Sequence, residues 1–103
     1  LLKADTENPD PSTMAINQTR ILVVDDSKVS RTIITRTLAD VLENAEVTST
    51  NTKQQVMEML DAGDHYDVIT TALRLPDSDG LELTRAIRQT ESHRHVPIIV
   101  VSG

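Results

Sequence analysis

Two adjacent carboxylates follow the first regular apolar run of the chain. The run ILVV ends at residue 24, and Asp25 and Asp26 come next. Neighbouring carboxylates repel each other unless a cation relieves the repulsion, and oxygen ligands of this kind suit Mg²⁺. The pair is therefore a candidate magnesium site. The alternative is that one aspartate caps a helix beginning near Lys28 and the other is solvated.

A second candidate for chemistry is the segment VITTALRLPDSDG, residues 68–80. Its first part has the pattern of a buried strand, and a turn-forming stretch containing Pro76 and Gly80 follows. Such a strand can deliver a reactive side chain to the loop beyond it. The residue at that point is Ala72, whose methyl group can act neither as a nucleophile nor as a metal ligand.

These segments lie within a regular alternation of strands and helices. Apolar runs and helical periodicity indicate that each strand is followed by a helix along the chain. This rhythm predicts βαβ units and an α/β fold with a parallel sheet. The predicted strands cover 21–24, 45–50, 67–72 and 96–102, and the predicted helices cover 28–42, 53–62 and 81–90. The continuous apolar run at 21–24 is typical of a strand covered on both faces. In the last helix we expect Leu81, Leu83 or Thr84, and Ile87 on the inner side.

The carboxyl ends of parallel strands share one edge of the sheet, and ligands bind beyond that edge. The topology should therefore bring together residues that are distant in sequence. Those residues are Asp25, Asp26, Ala72 and Ser102.

Composition narrows the class of protein. The net charge of −6 argues against a nucleic-acid surface, and the absence of cysteine excludes disulfides and thiolate metal sites. A chain without cysteine suits the reducing cytosol, and a cytoplasmic location is expected. No apolar run approaches the roughly 20 residues needed to span a membrane.

His93 and His95 lie in a polar stretch without a third ligand nearby, so we expect them to be solvated. Asp77 and Asp79 are expected to form turns or to be solvated.

The motifs ILVVDD, LRLPDSDG and PIIVVSG, at these separations, resemble the receiver domain of bacterial two-component response regulators, the CheY-like superfamily. The resemblance covers residues 20–103 and implies a flavodoxin-like, doubly wound parallel sheet of order 2-1-3-4-5. Residues 1–19 are then a leader or linker without regular structure. Met14 is either a native start or an internal methionine of such a linker.

The resemblance also implies roles for individual residues. Asp25 and Asp26 would bind Mg²⁺ together with the backbone carbonyl of Arg74. Ser102 would supply the switch hydroxyl that binds a phosphoryl oxygen. Ala72 stands where the family has the aspartate that accepts a phosphoryl group from a sensor histidine kinase or a phosphotransfer protein. We therefore expect a receiver unable to accept phosphate, with weakened Mg²⁺ binding and no enzymatic turnover of its own.

Two other functions stay open at this point. One is a naturally degenerate receiver that acts as a phosphorylation-independent interaction or dimerisation module of a larger signalling protein. The other is a Mg²⁺-dependent phosphatase or nucleotide-binding protein on a similar sheet. The latter is disfavoured because no glycine-rich phosphate loop follows the first strand.

The family has a further helix, a fifth strand and a last helix beyond the position of Gly103. If the chain ends there, we expect an open apolar edge at Val96–Val101 and a partly uncovered stripe on the helix over 28–42. Such surfaces favour a homodimer. If the chain continues, the remaining elements would cover them.

Overall fold

The computed structural model describes residues 18–102. The predicted leader, 1–19, lies outside the described residues except for its last two. The elements are β1 (Thr19–Val24), α1 (Lys28–Val41), β2 (Ala45–Thr50), α2 (Lys53–Asp61), β3 (Val68–Ala72), α3 (Gly80–Arg88), a 3₁₀ turn (Glu91–His93) and β4 (Ile98–Val101).

The four strands form one parallel sheet of order β2-β1-β3-β4. The strand β1 is central and pairs with β2 from Thr19 to Val24 and with β3 from Ile21 to Val24. The end of β3 pairs with β4, where Ala72 lies opposite Val101. The predicted α/β fold and the order 2-1-3-4 are thereby confirmed.

The two faces of β1 contribute to different layers, because successive strand residues point to opposite sides. Leu22 and Val24 join the main core together with residues of α2 and α3. Ile21 and Val23 are also buried and lie on the other face of the strand. Burial on both faces confirms the expectation for a continuous apolar run. The other members of the main core are Val56, Leu60, Tyr66, Ile69, Leu75, Leu83, Ile87 and Val96.

Local sequence explains how the helices begin and end. Ser27 caps α1 by accepting a hydrogen bond from the Ser30 N–H at 3.2 Å, and Thr52 caps α2 in the same way. The helix α2 ends before Gly63, as predicted, and this glycine adopts a φ of 98° that other residues rarely take.

The apolar stripe predicted for α1 is not buried. No residue of α1 is fully buried, and Val29 and Ile33 are 68% and 58% exposed. The main contacts of α1 are with β2 and β1, which cover only one side of the helix. In β4, Ile99 and Val101 are likewise exposed, in accordance with its place at the edge of the four-stranded sheet.

Two further expectations about side-chain burial are wrong. Leu81 was expected to face inward but is 54% exposed, because the buried face of α3 is formed by Gly80, Leu83 and Ile87. Val96 was expected to begin an open edge strand but is buried, since the chain turns there and the Val96 N–H binds the His93 carbonyl at 3.4 Å. Within residues 18–102, no helix is long and apolar enough to cross a membrane.

Candidate functional site

A cleft of about 380 Å³ opens beyond the carboxyl ends of β1, β3 and β4. This is the edge at which the parallel topology was expected to gather functional residues. All five of the predicted site residues line it, so the structure brings together positions up to 77 residues apart in sequence, from 25 to 102. The cleft is lined by Asp25, Asp26, Ser30, Ile33, Ile34, Ala72, Leu73, Arg74, Val101 and Ser102.

Asp25 is held firmly at the end of β1. Its backbone N–H donates to the Thr50 carbonyl at 3.0 Å, which extends the pairing of β1 with β2 by one residue. One carboxylate oxygen, Oδ1, accepts the Ser27 N–H at 2.9 Å. This hydrogen bond orients the carboxylate, and Asp25 lines the cleft. Arg31 donates to the Asp25 carbonyl at 2.7 Å, which brings a guanidinium group next to the turn.

Asp26 has a different environment from its neighbour. Asp25 is 9% exposed, whereas Asp26 is exposed to solvent. Neither aspartate is the N-cap of α1, because Ser27 takes that position. The capping alternative considered for the pair is therefore wrong, and both aspartates remain candidates for cation binding.

Ala72 ends β3, packs against the main core and is one of the residues that line the cleft. The preceding residue, Thr71, is buried and donates its hydroxyl to the Ala72 carbonyl at 2.9 Å. Because neighbouring strand residues point to opposite faces, the Thr71 hydroxyl does not replace a reactive group at position 72. Ser102 lies just beyond β4 and is exposed at the other side of the cleft.

The loop between β3 and α3, residues 73–79, is shaped like a small hairpin. At its base the Gly80 N–H donates to the Leu73 carbonyl at 2.7 Å, and Arg74 pairs with Asp79 in an isolated antiparallel bridge. Nearer the tip the Leu75 N–H donates to the Ser78 carbonyl at 3.1 Å. This pairing defines the path of the backbone at Arg74, beside the cleft.

Two aspartates of the β3–α3 loop cap two different helices. Asp79 is the N-cap of α3 and accepts the N–H groups of Leu81 and Glu82 at 2.9 and 2.8 Å. Asp77 accepts the N–H groups of Lys53 and Gln54, at the start of α2, at 2.9 and 3.0 Å. These hydrogen bonds, first from Lys53 and then from Gln54, hold the pKa of the Asp77 carboxyl below its ordinary value.

Sequence reasoning missed the role of Asp77. A turn aspartate normally binds backbone groups two or three residues away, so a local reading treats it as a turn former. Its actual donors lie 23 and 24 residues earlier in the chain. The available signal was the helix start at Lys53, which leaves several N–H groups in need of acceptors.

His93 is not solvated as expected. It is 1% exposed, and its Nε2 accepts the Tyr66 N–H at 3.1 Å, while its Nδ1 lies 2.7 Å from the Ser92 hydroxyl. Burial, and next the neighbouring His65, lower the pKa of His93. The expectation failed because its hydrogen-bond partner lies 27 residues away. Among the described residues no group of three or more His, Cys, Asp or Glu side chains could hold a metal ion by itself.

Comparison with known proteins gives a consistent result. Residues 21–103 match the family described as response regulator receiver domain. The chain is 32% identical over 83 residues to the chemotaxis protein CheY1 of Helicobacter pylori, covering 81% of this chain and 66% of that protein. It is 30% identical over 82 residues to the cyclic di-GMP phosphodiesterase response regulator RpfG of Xanthomonas campestris, covering 80% of this chain and 21% of that protein.

One similar solved structure contains a magnesium ion. The receiver domain of the sensor histidine kinase PA1611 from Pseudomonas aeruginosa aligns with a TM-score of 0.72 at 35% identity, covering 81% of this chain and 66% of that one. That structure is described with a magnesium ion coordinated in its active site cleft. The chain thus spans 66% of the chemotaxis relative but only 21% of the phosphodiesterase regulator.

Proposed function

Since the chain belongs to the response regulator receiver domain family, we propose that it is a phosphorelay receiver in which Ala72 occupies the phosphoacceptor position. The single observation that carries the proposal is the cleft, where Ala72 shares one edge of the sheet with Asp25, Asp26 and Ser102. The surroundings of an acceptor are retained and the acceptor carboxylate is missing. Phosphoryl transfer of this kind requires a nucleophile at that point.

We further propose that Mg²⁺ binds in this cleft. The residues that line the cleft fit a hard cation, since Asp25 and Asp26 carry carboxylates and Arg74 would add its backbone carbonyl, with water ligands supplied by solvent. The hydrogen bond from the Ser27 N–H orients the Asp25 carboxylate before any ion binds. Without a carboxylate at position 72 we expect weak binding. When bound, the ion would neutralise negative charge on a phosphoryl group.

The partner we propose is a sensor histidine kinase or a phosphotransfer protein, and the compartment is the cytoplasm, where such kinases deliver phosphoryl groups. Two relatives carry phosphodiesterase in their names, but the chain spans only 21% and 11% of them. Most of the length of each relative lies outside the matched region. The proposed contribution of this chain is regulation and not catalytic turnover.

The test is a gain of function at position 72. The wild-type chain, incubated with acetyl phosphate and Mg²⁺, should show no shift on a Phos-tag gel and no mass gain of a phosphoryl group. Ala72→Asp should acquire both, because a carboxylate oxygen can then attack phosphorus and carry the group as an acyl phosphate while acetate leaves. Ala72→Asn is the matched control, since it has the same shape and no nucleophilic oxygen.

Two outcomes would contradict the proposal. Phosphorylation of the wild-type chain would mean that another carboxylate is the acceptor. The Ala72→Asp test is made in a protein that includes the fifth strand of the family. Failure of that folded variant to take up the group, under conditions in which a known receiver does so, would mean that position 72 is not the acceptor position.

A further inference from the structure

The β3–α3 loop is fastened at both ends, and the two fastenings differ in kind. The base is closed by backbone pairing, through the Gly80–Leu73 hydrogen bond and the bridge between Arg74 and Asp79. The tip is fastened by one side chain, Asp77, which reaches a helix that precedes the loop in sequence. Arg74 belongs to this base and lies three residues before Asp77.

The contact at the tip is a complete helix cap shared between two segments. Thr52 accepts the N–H of Gln55 at 3.1 Å, as an N-cap residue does. Its hydroxyl does not serve the first two N–H groups of α2, and both donate to the Asp77 carboxylate instead. A carboxylate is favoured there because it also meets the positive end of the helix dipole. The start of α2 therefore holds the loop by two charge-assisted hydrogen bonds.

The attachment of the loop to α2 affects the cleft because the proposed ligand at Arg74 is a backbone carbonyl oxygen. A side-chain ligand can adjust its position by changing rotamer, whereas a carbonyl oxygen lies wherever the backbone places it. The position of the Arg74 carbonyl therefore depends on the path of the loop. Partners outside the first coordination sphere commonly set the affinity of a metal site in this way.

We propose that Asp77 is a positioning residue for the cation site, fixing the β3–α3 loop to α2 so that the Arg74 carbonyl stays at the cleft. This inference rests on the proposed function, because it concerns the Mg²⁺ site described there. It assigns to Asp77 no contact with the ion. Its expected effect is on cation affinity and on the exchange of particular amide protons.

The experiment compares three variants of the chain by NMR. Mg²⁺ is titrated into the wild type, Asp77→Ala, Asp77→Asn and Thr52→Ala, and the dissociation constant is taken from the amide shifts of residues around the cleft. Thr52→Ala is the matched control, because it removes a cap from the same helix without releasing the loop. Hydrogen exchange of the Lys53 and Gln54 amides reports the contact directly.

We expect Asp77→Ala to raise the Mg²⁺ dissociation constant on the order of tenfold, within the range typical of outer partners of metal sites. Exchange at Lys53 and Gln54 should accelerate in the same variant. Asp77→Asn should fall between it and the wild type, since an amide oxygen can accept one of the two hydrogen bonds. Thr52→Ala should bind Mg²⁺ like the wild type.

Other results would overturn the inference and identify the failed step. If Asp77→Ala binds Mg²⁺ as tightly as the wild type, the loop does not need this hold, while the cation site itself stands. If Thr52→Ala and Asp77→Ala weaken binding equally, the cause is the stability of α2 and not the position of the loop. If the wild-type chain shows no Mg²⁺-dependent shifts, the proposed cation site fails, and the role of Asp77 fails with it.

Discussion

Replacing Gly80 by alanine should destabilise the protein where α3 meets the end of β3. Gly80 is buried at the first position of α3, and its φ does not require glycine. Glycine is needed at this position because there is no room for a side chain. A Cβ atom at this position would lie 2.6 Å from the Ala72 carbonyl oxygen, 3.2 Å from Val100 Cγ1 and 3.3 Å from Thr71 Cγ2.

The closest of these contacts decides the magnitude. A side chain can rotate away from a new methyl group, but the Ala72 carbonyl belongs to a paired strand and also accepts the Thr71 hydroxyl. Overpacking of a core costs about 1–3 kcal/mol, and alanine recovers at most about 1 kcal/mol through its higher helix propensity. With a backbone atom in the way we expect a net loss of ~2 kcal/mol.

A loss of that size is measurable in a small domain. Globular proteins have stabilities of about 0.05–0.15 kcal/mol per residue, on the order of 4–13 kcal/mol for a unit of this size. Urea unfolding, followed by far-ultraviolet circular dichroism, should show a midpoint lowered by about 1.3–2 M when the m-value is about 1–1.5 kcal/mol per M.

Gly63→Ala is the matched control, because glycine is needed at Gly63 for its backbone conformation and at Gly80 for lack of space. A Cβ at Gly63 would meet nothing within 4 Å, but the φ of 98° is unfavourable for alanine. Its expected cost is about 1 kcal/mol, from backbone strain alone. A Gly80→Ala midpoint equal to or above the wild-type value would refute the close approach of α3 to the Ala72 carbonyl.

Two further predictions concern hydrogen bonds described above. Because the pKa of His93 is lowered in the folded chain, the unfolded chain binds more protons between that pKa and about 6.5. The free energy of unfolding should therefore keep its full value above about pH 6.5 and decrease as the pH falls below 6.5. This loss of stability at low pH should be smaller in His93→Gln, which keeps an acceptor for the Tyr66 N–H but does not titrate. Urea titrations of both chains measure it, and equal losses would contradict the role of His93. Replacing Asp79 by alanine removes both hydrogen bonds at the start of α3 and should lower the free energy of unfolding by about 1 kcal/mol. Asp79→Ser should retain most of the wild-type stability, because serine is also a good N-cap residue. Equal urea midpoints for the alanine variant and the wild type would argue against the cap.

The fold was predictable because its signals are local and repeated. The apolar run of β1 predicted a strand covered on both faces, and the alternation of strands and helices predicted a parallel sheet. The gathering of Asp25, Ala72 and Ser102 followed from topology alone, without knowledge of any contact. Whether a single residue of a helix faces the core or the solvent was harder to predict, as Leu81 shows. Its periodicity fits an inward position, but Gly80 occupies the face that meets the sheet.

The features that sequence reasoning missed depend on partners distant in the chain. His93 lies in a polar segment, yet it is buried and accepts a hydrogen bond from the Tyr66 N–H, 27 residues earlier. Asp77 lies in an ordinary turn, and only the start of α2 reveals its hydrogen bonds. Composition and periodicity describe each residue together with its neighbours. They therefore miss a polar side chain whose donor belongs to another element.

The contacts that shape the cleft do not depend on the side chain at position 72. The end of β3 is held by pairing with β4, by the Thr71 hydroxyl and by the approach of Gly80. Asp25 is oriented by the Ser27 N–H, and the loop beyond Ala72 by its own backbone pairing and by Asp77. None of these interactions uses a carboxylate at position 72. Losing an acceptor there would therefore leave the scaffold intact, and a single substitution can test whether chemistry returns without rebuilding the site.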